Sequence, residues 1–180
     1  YQNVWLFFNQ VAFGLTDNFS LGMGMIPTFL FGGSDLPLWI TPKFSFPASN
    51  QKFSFGAGGL FATVVGDGGS AGILYGTATT GSRDQNFSFG LGYGYADGDW
   101  ADVPTVMVSG MIRTGKKGYF ITENYLIDAG NDLLGILSFG GRTVWNTGAS
   151  LDYGGFIPIG DTDSIAIIPW LGVVVPLSGG

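Results

Sequence analysis

The chain has no cysteine and no histidine among its 180 residues. Without cysteine it can form neither a disulfide framework nor a thiolate metal site. Without histidine it lacks Ser-His and Cys-His nucleophile systems, imidazole metal ligands and the usual general base near neutral pH. Barrel-type proteases, phospholipases and acyltransferases lean on that residue, so no enzyme and no cofactor is expected. Charge is scarce as well: 11% of residues, less than half the ~25% of ordinary soluble domains. Seven cations in a net charge of −6 leave no basic patch for nucleic acid. Long apolar runs are missing too. The longest uncharged stretches, 18–34 and 165–180, are too short for a spanning helix and are broken by Gly and Pro. No leader peptide is visible: Tyr1 opens directly in strand-like sequence, as in a mature or truncated chain.

What is present points to lipid by another route. Aromatics reach 16% and glycine 32 residues, and mean hydropathy is +0.32. That composition is not one of a disordered linker. Membrane-level hydrophobicity without a membrane helix leaves the closed β-barrel, the other structure that satisfies its backbone in hydrocarbon. The clearest strand is Asn86-Phe87-Ser88-Phe89-Gly90-Leu91-Gly92-Tyr93-Gly94-Tyr95. Its odd positions are large and apolar and its even positions small. A strict period of two puts the bulky set on one face of an extended strand, toward lipid, and the small set on the other, toward a lumen. With so little side chain on that inner face, either a pore is open there or another segment, a plug or an N-terminal piece, packs closely against it.

Related motifs recur at Asn18–Gly24 and Lys52–Gly58, with Phe19, Phe53 and Phe87 spaced evenly. The interval fits one up-and-down pair of strands with its two turns, not a helical repeat, because the content alternates at period two. Cutting at Gly, Asp, Asn and Pro clusters predicts eleven strands: 3–15, 19–31, 36–46, 52–65, 71–80, 86–96, 105–114, 119–127, 133–145, 150–159 and 165–177. Pro27, Pro42, Pro158, Pro169 and Pro176 fall in or near them and are read as bulges or rims.

The turns alternate in charge. Those near 16–18, 48–51, 82–85, 115–118 and 146–148 carry Lys52, Arg83, Lys116 and Lys117 against Asp17 and Asp84. The others carry Asp35, Asp67, Asp97, Asp99, Asp102, Asp128, Asp132, Asp161 and Asp163 with no cation. Alternate turns of an up-and-down barrel lie at opposite ends, so these are two rims, one mixed and one acidic. The rule that short turns face the periplasm puts the mixed rim there. Eleven strands would start the chain at the acidic rim, and bacterial single-chain barrels close with even numbers. The expected architecture is therefore one all-β, transmembrane, antiparallel up-and-down barrel over residues 1–180, of about 12 strands (10–12). It has a Gly-lined interior and lacks an N-terminal strand or segment.

Five charges lie inside the predicted strands: Lys43, Arg113, Glu123, Arg142 and Asp152. A charge facing mid-bilayer lipid costs about 2–4 kcal/mol, so they should point inward. Glu123 is ambiguous, since Ile121 and Tyr125 share its face. Two readings stand: a charged constriction that screens solutes, with Lys43 opposite the others, or a salt-bridge stitch that braces the wall. The densest acidic piece, Asp97, Asp99 and Asp102, offers oxygen ligands for divalent cations but lacks EF-hand spacing; a solvated rim is the alternative. Trp100, Tyr93 and Tyr95 near one rim, and Trp145 and Tyr119 near the other, match interfacial aromatic girdles.

The Asn86–Tyr95 signature, Ile40-Thr41-Pro42-Lys43-Phe44-Ser45-Phe46 and Thr122-Glu123-Asn124-Tyr125 together resemble a family of Gram-negative outer-membrane barrel proteins. The resemblance covers most of the chain. It implies fold and location only, since that family has no assigned activity, and in it further sequence precedes the position of Tyr1. The expected role is a small-solute pore or a structural subunit of an outer-membrane complex. Expected partners are outer-membrane lipid, lipopolysaccharide and other envelope proteins. The competing expectation is a soluble or cell-surface β-sandwich or adhesin-type module, in which the Phe87/Phe89/Leu91 face packs against a second sheet.

Overall fold

The computed structural model describes residues 2–5, 9–26, 35–48, 52–66, 68–128, 133–160 and 166–176. Thirteen strands form one antiparallel sheet. They are β1 (Gln2–Trp5), β2 (Asn9–Gly14), β3 (Phe19–Met25), β4 (Leu36–Pro47), β5 (Phe53–Val65), β6 (Ser70–Gly81), β7 (Gln85–Ala96), β8 (Asp99–Trp100), β9 (Thr105–Arg113), β10 (Gly118–Asp128), β11 (Leu133–Val144), β12 (Ser150–Ile159) and β13 (Ile168–Val175). β8 is a two-residue spur folded back on β7. The other twelve pair in chain order, and the ring closes where β13 pairs with β1. A closed ring leaves no unpaired edge, as a barrel requires. The register is staggered. Directly opposed residues run from Lys43 through Gly58, Tyr75 and Gly92 to Thr105, from well inside β4 to the first residue of β9. Strands tilted to the barrel axis produce that drift.

The twelve strands correct the count at one place. The stretch predicted as a single strand, 3–15, is two, β1 and β2, paired antiparallel through Val4 and Asn9. Residues 6–8, which lie outside the described residues, read Leu-Phe-Phe and carry none of the Gly, Pro or Asp signals that mark a turn. The even number therefore arises within residues 2–175. β1 also starts opposite Val175, at the mixed rim and not the acidic one. The alternation of the turns between two ends holds throughout the ring. Pro42 is no bulge, since the β4–β5 register is the same at Ile40–Phe61 and Lys43–Gly58; that ladder skips Thr41 and Pro42, where a donor is missing. Pro158 and Pro169 sit near strand ends, Pro176 follows β13, and Pro27 is outside the described residues.

The molecule is apolar on the outside. Phe87, Phe89, Leu91 and Tyr93 are 45–52% exposed, while Gly90 and Gly92 between them are buried. Among the described residues the buried hydrophobics are only Ala12 and Ala149. The sandwich alternative required the Phe87/Phe89/Leu91 face to be covered by a second sheet. All described strands belong to one sheet and that face is bare.

Candidate functional site

The register assigns each side chain to a wall face, because directly opposed residues share a face. Lys43 lies opposite Ser20 and Gly58. Following that face round the ring collects Tyr75, Gly92, Thr105, Ser109, Arg113, Glu123, Arg142 and Asp152. This is the lumen face. Every charged residue of the twelve ring strands whose side chain is described stands on it. Glu123 opposes Ser109, which removes its ambiguity.

The lumen charges do not form one ladder of alternating sign. Arg142 and Asp152 are directly opposed on β11 and β12. Nε donates to Oδ1 at 2.7 Å and Nη2 to Oδ2 at 2.6 Å, with Asp152 buried. Arg113, the last residue of β9, belongs to the mixed rim. It pairs with Asp84 of the β6–β7 turn at 2.8 Å, donates to the Lys116 carbonyl at 3.2 Å, and covers the Tyr119 ring. Tyr119 hydrogen-bonds Arg113 and Asp84, so it serves that inward cluster and not an outer aromatic belt. Glu123 accepts the Tyr125 hydroxyl. Lys43 has no ion pair among the described residues, and β4 is six places from β11 whichever way the ring is counted. It faces the Arg142–Asp152 pair across the barrel.

The lumen glycines answer the question their smallness raised. At Gly90 and Gly92 of β7, side chains of the flanking strands cover the wall. A Cβ on Gly92 would stand 2.9 Å from Ile73 of β6, and one on Gly90 would meet Thr77 of β6 and Met107 of β9. Over Gly22 of β3, Gln10 of β2 reaches β4, accepting from the Trp39 indole at 3.1 Å and donating to Thr41 Oγ1 at 3.4 Å. Trp170 of β13 lies over both Gly154 and Gly140. Each bare strand is a saddle on which large neighbours meet. The sequence does carry this signal, in large residues that register one strand away from Gly, but it is legible only once the register is known.

One polar bracket lies on the opposite, outer face. The rungs at Glu123 and Asn124 are missing from the β10–β11 ladder. Asn124 Oδ1 instead accepts the Ser138 amide at 3.2 Å, and Thr122 Oγ1 donates to the Ser138 carbonyl at 2.6 Å. Asn124 Nδ2 also donates to the Val108 carbonyl of β9 at 3.3 Å. Two side chains thus replace lost backbone bonds and tie three strands together.

At the acidic rim, Asp97 and Gly98 form the tight hairpin between β7 and β8, both with positive φ (49° and 109°), as a two-residue Asp-Gly turn requires. Asp97 Oδ1 accepts the Ser70 amide at 2.6 Å. Asp97 is thereby committed to the turn, while Asp99, Asp102 and Asp35 are exposed. Among the described residues no group of three carboxylates is gathered as a metal site. Asp67, Asp132, Asp161 and Asp163 lie outside the described residues, as does the side chain of Asp128. The Trp100 ring lies tilted against Tyr95 at 5.4 Å between centroids, and Trp100 and Trp145 are exposed.

The fold is thus that of a closed, twelve-stranded, up-and-down antiparallel barrel with its charges inside. Its architecture is similar to that of a solved structure, KdgM porin: TM-score 0.67 over 98% of this chain and 96% of that one, at 9% sequence identity. No protein-family model matches the chain, and no curated protein matches it in sequence.

Proposed function

We infer that the chain is a transmembrane barrel of the bacterial outer membrane whose lumen admits small solutes. The observation that carries this reading is the division of its two wall faces. The outer face of the ring presents Phe, Leu, Ile, Met and Val with no described charge, and the inner face holds Lys43, Arg113, Glu123, Arg142 and Asp152. Apolar area in water costs about 25 cal/mol per Å², and soluble monomers rarely expose contiguous apolar patches beyond a few hundred Å². A band of this kind around a closed ring is stable in lipid and a liability in water. The similarity of fold to a porin supports the same reading.

The lumen charges support a screening role. Arg142 and Asp152 neutralise each other and brace the wall, while Lys43, unpaired and opposite, leaves a positive bias at that level. Reconstitution into planar bilayers tests this. Discrete ion currents are expected from the purified barrel. An intact barrel that conducts nothing would contradict the pore reading and favour a structural subunit, for which mild-detergent purification should then recover a stoichiometric companion.

A further inference from the structure

The inner face changes character along the barrel axis. Near the mixed rim it carries Lys43, the Arg142–Asp152 pair, Thr79 hydrogen-bonded to Ser88 at 2.7 Å, and Ser109. Toward the acidic rim the same face turns apolar. Trp39 is four residues beyond Lys43 on β4, Ile136 six beyond Arg142 on β11, and Phe156 four beyond Asp152 on β12. Leu60, Ile73 and Trp170 continue this collar, since Leu60 opposes Ile73 and the Phe156 and Trp170 rings approach to 5.9 Å. Leu60 and Ile136 keep 37% and 36% of their surface exposed, so the collar is accessible from the lumen. Two polar groups at this level are occupied: the Trp39 indole by Gln10 and the Glu123 carboxylate by Tyr125. A lumen for sugars or ions should be polar along its length, and this one is not.

We propose that the lumen binds an amphipathic anion, with its apolar body in the Trp39–Leu60–Ile73 and Ile136–Phe156–Trp170 collar and its anionic head at Lys43. The assignment rests on the pore reading and narrows its substrate class. The spacing suits it, because four residues of strand between Lys43 and Trp39 span roughly 13 Å, about the reach of a ten-carbon chain. The head has one described attractor: Lys43 is the lumen cation left without a carboxylate, Arg142 being held by Asp152 and Arg113 by Asp84.

Isothermal titration of decanoate and of decanol into the barrel, held in a non-ionic sugar detergent, tests the proposal. Wild type should bind decanoate saturably, at one site and roughly tenfold more tightly than decanol, the worth of one charge-assisted contact. Lys43→Gln should bring the two affinities together. Ile73→Asn or Leu60→Asn should abolish both, with folding confirmed by heat-modifiable gel mobility. Absent saturable decanoate binding by folded wild type, or equal wild-type affinities for acid and alcohol, the proposal is overturned. Ion conductance by the same preparation reports on the pore separately, so a conducting barrel that ignores decanoate would condemn only the ligand class.

Discussion

Arg142 and Asp152 face each other directly across β11 and β12 and join through two parallel bonds of 2.7 and 2.6 Å. Strand register places them, and side-chain length then lets the guanidinium present both nitrogens to one carboxylate. Asp152→Asn would leave Arg142 facing a neutral partner inside the wall. The expected loss is about 1–3 kcal/mol, below that of a fully buried pair because Arg142 is partly solvated. Urea unfolding followed by tryptophan fluorescence reads it. The double variant Arg142→Met with Asp152→Leu should recover most of the loss; a double variant as unstable as the single one would contradict this account of the pair.

Asn124 should be worth more than an ordinary surface amide. Asn124→Ala strands the Ser138 amide and the Val108 carbonyl in a wall where water does not replace it. A cost of about 1–3 kcal/mol follows for each buried group left unpaired. The same unfolding assay should show a clear drop for Asn124→Ala and almost none for Thr147→Ala in the exposed β11–β12 turn.

Two glycines on one strand and one face should behave differently. A Cβ on Gly92 would meet Ile73 and the Leu74 carbonyl at 2.9 Å, whereas one on Gly94 has its nearest neighbour at 3.9 Å. Gly92→Ala is expected to cost about 1–3 kcal/mol through overpacking. Gly94→Ala should stay within about 0.5 kcal/mol of wild type. Similar losses at both positions would mean that the lumen face is not packed as described.

Lys43→Glu should turn the selectivity of the lumen. Replacing its unpaired positive charge by a negative one near the Arg142–Asp152 level should shift the reversal potential in a salt gradient toward cations, by several-fold in permeability ratio. Arg113→Gln, at the solvated rim, should change it far less. Equal responses would place the selective level at the rim.

Most of the fold was legible because a barrel wall writes a period of two. Phe87, Phe89, Leu91 and Tyr93 announce an outer face and Ser88, Gly90 and Gly92 an inner one, and the acidic turns announced which ends lie together. The β1–β2 hairpin was not legible, because Leu6-Phe7-Phe8 has the composition of strand and not of turn. The lumen charges were legible as inward-facing but not as pairs. Whether Arg113 meets Glu123 or Asp84 depends on strand stagger, which alternation alone does not specify. The apolar collar is not legible for the same reason: Trp39, Leu60, Ile73 and Phe156 each look like ordinary strand residues until the register gathers them on one face.

The central claim is that the small face looks into an aqueous lumen and the large face into lipid. Because the chain has no cysteine, single-cysteine variants at positions 86–95 can be spin-labelled one at a time in liposomes. Oxygen, which concentrates in lipid, and a water-soluble nickel chelate then report the surroundings of each label. Labels at positions 87, 89, 91 and 93 should respond to oxygen, and those at 86 and 88 to the nickel complex, in strict alternation. Equal access of the nickel complex to both faces, or to neither, would contradict the account.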